Sequence, residues 1–507
     1  MTSPNRWGER TQPTSAVIDI GSNSVRLVMY SGPTRAPVTV FNEKVLCGLG
    51  RRDPDTGNLL PETTSEALSV LRRFWAIIET AAPRDLIIFA TAGVRDAANG
   101  EEFLAAVRQI GFKPFLLSGD EEARLAALGI LAGSPDILES PGGALAGDIG
   151  GGSLELCHVG RAHKDGIGPR VSLPLGGLRL ATQYAEDRKA ARKEIAAQLA
   201  AVPWLQDCPA TALYAVGGAW RAIGRIAIDQ QRYPIDILEG FSLSRETTIS
   251  LCKFLGQQSV TSVEAIDGVQ RRRAPTLPFA AMVMEAVFKT TSLERLIFSA
   301  SGLREGVLFD RLSARDREAD PMLTLARHVG ESRPASPPRA PETVFEFLSP
   351  LFPSWGPQQR REGMATMWLS NVVSHLHPEA RAAQAARLVM GLPFHGLDHL
   401  GRVRIAAALY HRHGGPAGRL GKVVPLSLLT EEDQTEAYHM GSALRFVCEF
   451  DPSGGKGLEG SALKVNKGQL ALTLGRAGRA LWGRAPAKRF ARLASACGLE
   501  ATGEDWL

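Results

Sequence analysis

The chain has 507 residues, of which 44% are hydrophobic and 22% are charged. This composition is ordinary for globular proteins, excludes a disordered, collagenous or coiled-coil chain, and at this length predicts two to four domains. No segment approaches the ~18 consecutive apolar residues of a membrane span. The polar first residues also hold no signal-peptide core. We therefore expect a cytoplasmic protein that has no membrane partner.

The six cysteines are scattered along the chain, at positions 47, 157, 208, 252, 448 and 497. None of them forms a C-x-x-C pair. This spacing is typical of a reducing compartment and argues against a disulfide scaffold or a zinc knuckle.

The net charge of +5 is placed unevenly along the chain. Residues 320–507 hold 22 Lys and Arg against 17 Asp and Glu, so they carry the whole excess. Within 456–492 there are nine basic residues and one acidic residue, Glu459. Such a segment either binds a polyanion or forms a solvated basic surface that aids solubility. The charge alone does not choose between these two interpretations.

The first 302 residues predict an alternation of strands and helices that occurs twice. The first copy has strands at 16–21, 25–31 and 37–46, a helix at 62–81, a strand at 85–94, a helix at 101–110, a strand at 113–119 and a helix from Asp120. The second copy has strands at 143–150, 154–160 and 169–176, helices within 177–202, a strand at 211–218, helices at 244–256 and 276–290, and a strand at 294–302. We interpret this imperfect repeat as a duplicated fold.

Residues after Arg317 have a different character. The segment 331–342 holds four prolines and predicts a stiff linker. The remainder predicts mostly helices, with short strand-like runs at 443–450 and 469–474. We accordingly place four domains, at 1–135, 136–317, 318–432 and 433–507.

Both copies contain an Asp-x-Gly-x-x-Ser turn after their first strand, DIGSNS at 19–24 and DIGGGS at 148–153. Glycine lets the backbone approach a ligand closely, and consecutive amides with hydroxyl side chains form a phosphate cradle. One such turn is common in β-rich folds, whereas two copies in duplicated domains predict facing phosphate loops with a cleft between them. The candidate phosphate-binding residues in the turns are Ser22, Asn23, Ser24, Gly150, Gly151, Gly152 and Ser153.

Four acidic residues stand near these turns in the predicted fold. Glu121 and Glu122 begin a helix, where carboxylates either complement the helix dipole or place one side chain in the cleft to orient a water. Asp148 and Glu155 lie seven residues apart across a predicted hairpin, so we expect both to approach one divalent ion. Mg²⁺ suits such a pair because it takes one or two carboxylates and keeps several waters.

Two further segments follow predicted strand ends. Thr91 and Arg95 lie in ATAGVRD, where we expect them to bind phosphate, because Arg is a bidentate partner for phosphoryl oxygens. The alternative is a surface arginine that pairs with a neighbouring carboxylate. The glycines of AVGGAWRAIG at 215–224 either line the cleft or let a helix pack closely on a strand.

The geometry of two facing loops resembles the superfamily of acetate and sugar kinases, heat-shock protein 70 and actin. More specifically, the chain resembles the exopolyphosphatase and guanosine pentaphosphate phosphohydrolase family. The resemblance spans residues 16–310 and rests on AVIDIGSNSVRL, ATAGVRDAANG, SGDEEARLAALG, GDIGGGSLEL, LPLGGLRL, YAVGGAWRAIGR and SASGLREGVL. It implies an α/β fold of two ribonuclease-H-like (actin-like) domains with a cleft between them. A mostly helical HD-like domain and a small C-terminal α+β domain would follow.

The resemblance also implies roles for individual residues. Glu121, the first glutamate of the EEAR element, corresponds to the catalytic base, and Asp148 and Glu155 correspond to the carboxylates that bind Mg²⁺ or another divalent cation. Arg95 corresponds to a catalytic residue that grips phosphate together with the two turns. Arg304, in the LREG element, is a further phosphate-binding candidate.

The C-terminal part resembles the HD-type module of long family members. HLGRVRIAAALYHRHGG resembles the segment that would hold the His-Asp pair, but Tyr410 and His411 stand there instead. Nearby His395, Asp398 and His399 do not have the spacing of that signature. We therefore predict a non-catalytic module that grips substrate or forms a homodimer, with the basic residues 456–492 as a channel for a long polyanion.

Together these features predict an exopolyphosphatase that hydrolyses the terminal phosphate of inorganic polyphosphate with Mg²⁺ and a water activated by Glu121. A guanosine pentaphosphate 5′-phosphatase, with guanosine penta- or tetraphosphate as its partner, is the alternative, because no residue separates the two substrates. A sugar or acid kinase is disfavoured, since AVGG is the one trace of an adenosine site. A non-enzymatic binder of an alarmone or of RNA is the alternative of another class, although no specific nucleic-acid motif is present.

Overall fold

The structure is a computed structural model that describes residues 12–332, 341–452 and 454–503. The chain divides into two units, Met1–Ala319 and Asp320–Leu507. Most of the predicted linker at 331–342 lies outside the described residues.

The first unit begins with a lobe built around a five-stranded sheet. Its elements are β1 (Ser15–Ile20), β2 (Val25–Ser31), β3 (Val38–Val45), α1 (Pro61–Ala81), β4 (Asp85–Ala90), α2 (Ala92–Arg95), α3 (Gly100–Ile110), β5 (Phe115–Leu116) and α4 (Gly119–Gly133). The strand order is β3-β2-β1-β4-β5. The central β1 runs antiparallel to β2 and parallel to β4, and its nearly continuous apolar run suits a strand covered on both faces.

The second lobe of this unit repeats that plan. Its elements are β6 (Ala144–Ile149), β7 (Leu154–Val159), β8 (Ile167–Leu173), α5 (Gly177–Gln183), α6 (Arg188–Ala200), α7 (Pro203–Gln206), β9 (Ala212–Val216), α8 (Gly218–Gln230), β10 (Ser242–Ser244), α9 (Arg245–Leu255), α10 (Val260–Glu264), α11 (Leu277–Thr290), β11 (Arg295–Phe298), α12 (Leu303–Asp310) and α13 (Ala314–Glu318). The strand order is β10-β11-β9-β6-β7-β8, and β6 has an antiparallel and a parallel neighbour as β1 does. The predicted duplication of an α/β fold is confirmed.

Helices α4 and α12 join the two lobes. They belong to a buried apolar cluster that also contains residues of both sheets. The two helices cross so closely that a Cβ added at Gly306 would lie 1.7 Å from the Leu125 carbonyl oxygen, and one at Gly129 would lie 2.0 Å from that of Gly302. Glycine is therefore required where the two backbones meet.

The second unit is mostly helical and ends in a small sheet with the order β12-β13-β14. Its elements are α14 (Pro321–Glu331), α15 (Pro341–Leu348), α16 (Pro357–Leu369), α17 (Pro378–Gly391), α18 (His399–Arg412), α19 (Ala417–Leu420), α20 (Glu431–Phe450), β12 (Ala462–Asn466), β13 (Gln469–Thr473), α21 (Arg476–Leu481), α22 (Arg484–Ala496) and β14 (Glu500–Gly503). The predicted helical region and small α+β region are confirmed. Across the parts of the chain that the structure describes, no helix has the length and apolar character to cross a membrane.

Two sequence expectations differ from the structure. The strand-like run 443–450 lies inside α20, because its buried residues, among them Leu444 and Val447, follow helical spacing that a short window reads as a continuous apolar run. The strand expected at 113–119 is reduced to the two residues of β5. The domain boundary predicted near 432 coincides with the start of α20 and stays a prediction.

Gly306→Ala tests the helix crossing. The added methyl group would meet the Leu125 carbonyl, so we expect the free energy of unfolding to fall by about 3 kcal/mol, measured by thermal denaturation. Gly391→Ala is the matched control, because a Cβ there meets nothing within 4 Å in a helix and should be neutral or mildly stabilising. Equal stability of the two variants would contradict the close crossing.

Candidate active site

The two Asp-x-Gly-x-x-Ser segments form the same closed turn in the two lobes. Between β1 and β2, the Gly21 amide donates to the Ser24 carbonyl at 3.0 Å. Between β6 and β7, the Gly150 amide donates to the Ser153 carbonyl at 2.9 Å. Both predicted turns therefore lie at the equivalent hairpin of each sheet.

The tips of the turns touch each other. A Cβ on Gly151 would lie 3.2 Å from the Ser22 Cβ, and a Cβ on Gly152 would lie 2.8 Å from the Ser22 Oγ. A side chain at either glycine would require Ser22, which is itself buried, to shift. The glycine run of the second turn is thus explained by contact with the first turn.

Helix α5 orients the peptide groups of the glycine turn. The Gly151 carbonyl accepts hydrogen bonds from the amides of Leu178 and Arg179 at 3.0 Å each, and the Arg179 guanidinium donates to the Gly152 carbonyl at 2.8 Å. Because a trans peptide directs its N–H opposite to its C=O, the amides of Gly152 and Ser153 point away from α5. Such consecutive amides form an anion cradle.

A cleft of about 190 Å³ lies between the lobes beside both turns. It is lined by all seven turn residues named from the sequence and by Thr91, and the AVGG turn lines it through Gly217 and Gly218. Ionisable side chains of both signs face it. These are Asp19, Glu122, Asp148, Glu155, Arg26, Lys44, Arg221, Arg272, Arg273 and Arg304.

Asp148 and Glu155 face each other directly across the β6–β7 hairpin. The Ser172 hydroxyl donates to Glu155 at 2.8 Å. Desolvation raises the pKa of Asp148 to about 6, and desolvation together with the charge of Glu122 raises the pKa of Glu155 well above its ordinary value. The carboxylates therefore lack a full set of counter-charges in the cleft.

This donor set is one that Mg²⁺ accepts, because that ion uses one or two carboxylates and completes its shell with waters and phosphate oxygens. Among the described residues no group of three or more His, Cys, Asp or Glu has the arrangement to hold a metal by itself. Waters and the oxygens of a bound phosphate would complete the coordination.

The structure separates the two glutamates of the EEAR element. Helix α4 begins after Ser118, whose hydroxyl accepts a hydrogen bond from the Glu121 amide, so both glutamates lie in the first two turns. Glu122 is buried and lines the cleft. Glu121 instead faces outward and makes a two-pronged contact with Arg124 at 2.7 and 2.9 Å. The structure therefore places Glu122, and not Glu121, at the cleft.

The reason is the helix period. Glu122 shares its face with Leu125 and, seven residues on, with Gly129, where α4 meets α12. Glu121 is three residues before Arg124, a spacing that favours an ion pair on the outer face. Arg124 also donates hydrogen bonds to both carboxylate oxygens of Asp310 at 3.0 and 2.8 Å. The cluster of Glu121, Arg124 and Asp310 therefore links α4 to α12.

Arg95 lies behind the cleft and does not line it. Its guanidinium donates to the Glu122 carboxylate at 2.8 Å and to the Leu117 carbonyl at 3.1 Å. Burial raises the pKa of Glu122 to about 7, and Arg95 opposes that rise. Of the two interpretations of Arg95 left open by the sequence, the structure favours the arginine paired with a carboxylate.

Arg304 lines the cleft and pairs with Asp19 at 2.9 Å. Sequence reasoning did not select Asp19, although it opens the first turn as Asp148 opens the second. It also missed five basic residues of the cleft: Arg26, Lys44, Arg221, Arg272 and Arg273. Arg26 stands between buried residues of β2, Arg221 lies within AVGGAWRAIG, and Arg272 and Arg273 are adjacent in the chain. These local signals do not by themselves place the residues at one cleft.

Further residues named from the sequence, among them Asp398 and His411, lie in the second unit. Asp398 accepts a hydrogen bond from the Gly401 amide at 2.7 Å and so caps α18, and burial lowers the pKa of His411 to about 4. The basic segment 456–492 covers β12, β13, α21 and most of α22. Eight of its nine basic side chains are exposed, and Arg489 pairs with Glu449.

Two lobes of this topology, with an Asp-x-Gly-x-x-Ser turn from each at the cleft, define a protein of the actin-like class. The model of the Ppx/GppA phosphatase family matches residues 27–315. The chain belongs to this family, and the predicted resemblance is confirmed.

Individual proteins show the same relationship. Exopolyphosphatase 1 of Mycobacterium tuberculosis is 28% identical over 319 residues, which cover 60% of this chain and 89% of that protein. Retrograde regulation protein 2 of Saccharomyces cerevisiae is 27% identical over 489 residues, covering 86% and 81%. Guanosine-5′-triphosphate,3′-diphosphate pyrophosphatase of Aeromonas salmonicida is 26% identical over 357 residues, covering 68% of each.

Among solved structures, an exopolyphosphatase from Cytophaga hutchinsonii superposes with a TM-score of 0.52 at 26% identity. The match covers 58% of this chain and 96% of that one. The predicted pair of actin-like domains is thereby confirmed.

The substitution Asp148→Asn tests whether the buried charge of Asp148 destabilises the folded protein. The protein would be prepared free of divalent ions. A buried carboxyl with a raised pKa stabilises the folded state when protonated, and this contribution is lost as pH rises through about 6. At pH 8 we expect the variant to be more stable than wild type by about 1–2 kcal/mol, and at pH 4 the advantage should vanish. Thermal denaturation at the two pH values measures this, and an advantage that does not change with pH would contradict it.

Proposed function

We propose that this protein is an exopolyphosphatase that hydrolyses the terminal phosphate of inorganic polyphosphate. The observation that carries the proposal is the position of Glu122, a buried carboxylate beside two facing phosphate turns. A carboxylate with a pKa of about 7 is partly deprotonated near neutral pH and is suited to general-base catalysis. Membership of a phosphatase family supports hydrolysis over a kinase or a pure binding function.

In the proposed mechanism, Glu122 orients a water and takes its proton as the water oxygen bonds to the terminal phosphorus. The bond from that phosphorus to the bridging oxygen breaks, and the shortened chain leaves with the electron pair. Turn amides such as that of Gly152 donate to the phosphoryl oxygens, where fixed donors offset developing charge.

Asp148 and Glu155 would hold a divalent cation, which supplies charge neutralisation for phosphate oxygens when it is bound. Arg95 is a positioning residue in this scheme, because it fixes the Glu122 carboxylate through a charged hydrogen bond. Thr91 is buried and lines the cleft, where it would add a hydroxyl group for contact with phosphate.

The preference for polyphosphate over guanosine pentaphosphate rests on the eight exposed basic side chains within 456–492, which suit a long polyanion. Guanosine pentaphosphate 5′-phosphatase activity is the second candidate, favoured by the similarity to the Aeromonas salmonicida pyrophosphatase. We also propose that the protein is cytoplasmic and forms a homodimer. Sedimentation velocity would test the homodimer.

Glu122→Gln tests the proposed base, with Glu121→Gln as its matched neighbour. Phosphate release from long-chain polyphosphate and from guanosine pentaphosphate, with Mg²⁺, should fall at least a hundredfold for Glu122→Gln, since general bases contribute 10²–10⁴-fold. Glu121→Gln should keep turnover within about threefold, because its partner is Arg124. Full turnover by Glu122→Gln would contradict the assignment of Glu122 as the general base. Phosphate release from guanosine pentaphosphate alone would favour the 5′-phosphatase activity.

Arg95→Met tests the positioning role through the pH dependence of kcat. Arg95 lowers the pKa of Glu122, so its removal should move the acid limb of the pH–rate profile to higher pH. Arg95→Lys keeps the charge and should move the limb less. Arg108→Met, in an exposed pair outside the cleft, is the control. An acid limb that Arg95→Met leaves in place would contradict this role.

A further inference from the structure

The short helix α2 lies where the two turns meet. A Cβ added at Gly93 would lie 2.7 Å from the Ser22 Cα, so α2 packs directly on the first turn. A Cβ added at Gly152 would lie 3.2 Å from the Ala92 Cβ, so α2 also meets the glycine turn of the second lobe. Asp96 follows α2 as its C-cap and is therefore close to both lobes.

The Asp96 carboxylate pairs with arginines from both lobes. In the second lobe, Arg179 of α5 donates a hydrogen bond to the Asp96 Oδ2. In the first lobe, the Arg95 Nε donates to the Asp96 Oδ1 at 3.3 Å, and a terminal nitrogen of Arg52 lies 3.6 Å from the Oδ2. One carboxylate is thus the shared partner of three guanidinium groups.

Arg179 links the Asp96 carboxylate to the glycine turn. Its Nε donates to the Gly152 carbonyl at 2.8 Å, while a terminal nitrogen donates to Asp96. A planar guanidinium makes two such contacts in a fixed geometry, which a lysine ammonium does not. Because the Gly152 carbonyl and the Ser153 amide belong to one planar peptide unit, Arg179 also fixes the direction of that amide.

Arg95 links the same carboxylate to the proposed general base. One terminal nitrogen of Arg95 donates to Glu122 at 2.8 Å, while its Nε faces Asp96. A continuous path of polar contacts therefore runs from the Gly152 carbonyl through Arg179, Asp96 and Arg95 to Glu122. This path crosses from one lobe to the other at the ion pair of Asp96 with Arg179.

The charges in this path depend on Asp96. Its side chain and those of its three arginine partners are 21–31% exposed, so they are partly shielded from solvent. Isolated surface pairs contribute little to stability, whereas several charges in one network contribute more. Without the Asp96 charge, the guanidinium groups would repel one another at short range. We therefore expect the loss of that charge to displace the arginines and the groups that they hold.

We propose that Asp96 is a positioning residue that holds the glycine turn and the Arg95–Glu122 pair in one arrangement through its ion pair with Arg179. The inference rests on the proposed function and adds Asp96 and Arg179 to it as positioning residues. Neither side chain lines the cleft, so both act through the Gly152 peptide and Arg95. Their effect falls on the rate of the chemical step, which is sensitive to small displacements of the reacting groups.

The test is a double-mutant cycle of Asp96→Asn and Arg179→Met, with Asp96→Glu as the conservative variant. Asp120→Asn is the matched control, because Asp120 of the first lobe pairs with Arg170 of the second at 2.6 Å and neither residue lines the cleft. Values of kcat and KM would be measured with long-chain polyphosphate and with guanosine pentaphosphate, each with Mg²⁺. Thermal denaturation would verify that every variant is folded.

We expect Asp96→Asn to lower kcat at least about tenfold on every substrate that the wild type hydrolyses, with a smaller change of KM, since a displacement of about 1 Å can cost about a hundredfold in rate. Asp96→Glu should recover most of kcat, and Asp120→Asn should stay within about twofold. Adding Asp96→Asn to Arg179→Met should cost little more than Arg179→Met alone, because residues of one network are not additive. Losses that multiply in the double variant would contradict the coupling.

An unchanged kcat in folded Asp96→Asn, or an equal loss of kcat in Asp120→Asn, would overturn the inference. If Asp96→Asn does not fold, Arg179→Lys decides, because lysine keeps the charge but does not hold Gly152 and Asp96 together. A wild-type kcat in Arg179→Lys would then overturn the inference. Failure here, with Glu122→Gln inactive, would leave the proposed function intact, whereas an active Glu122→Gln would remove the function itself.

Discussion

The contact between the glycine turn of the second lobe and Ser22 of the first is the constraint on which the cleft depends. Gly151 and Gly152 leave little room for a side chain where the turns meet, so the two turns can approach each other closely at the cleft. Helix α5 completes this arrangement, because its first amides satisfy the Gly151 carbonyl and leave the amides of Gly152 and Ser153 directed the other way. The rest of the cleft is assembled around this junction.

The junction is held by the crossing of α4 and α12. That crossing carries Glu122 into the cleft on its inner face, while Glu121 and Arg124 join α4 to Asp310 on its outer face. Adjacent residues of α4 therefore point to opposite sides, one into the cleft and one into an ion pair. The buried carboxylates Glu122, Asp148 and Glu155 oppose folding in the absence of a counter-ion, and such strain is typical of sites that bind charged ligands.

The two lobes have equivalent strands because the fold is duplicated. The residues at equivalent positions, however, carry different charges. Asp148, Glu155 and Ser172 are in register across β6, β7 and β8, whereas Asp19, Arg26 and Lys44 are in register across β1, β2 and β3. Equivalent positions of the two sheets thus differ in charge without any change in backbone topology.

Much of this protein is determined by its sequence alone. The order of strands and helices in the first unit, the two phosphate turns and the pairing of Asp148 with Glu155 follow from local patterns, because a hairpin sets its cross-strand partners within a few residues. The same reasoning failed for 443–450, where a helix inside a packed bundle has the composition of a strand.

Only the tertiary structure decided which glutamate enters the cleft and which cations face it. Glu121 and Glu122 have the same local chemistry, and the packing of α4 on α12 selects between them. Arg26 and Lys44 are cross-strand partners on β2 and β3, but Arg221 and Arg273 come from segments far along the chain. No local pattern therefore unites all four. Their shared field exists because the fold brings side chains of distant segments to one desolvated cleft, where charges act over short distances.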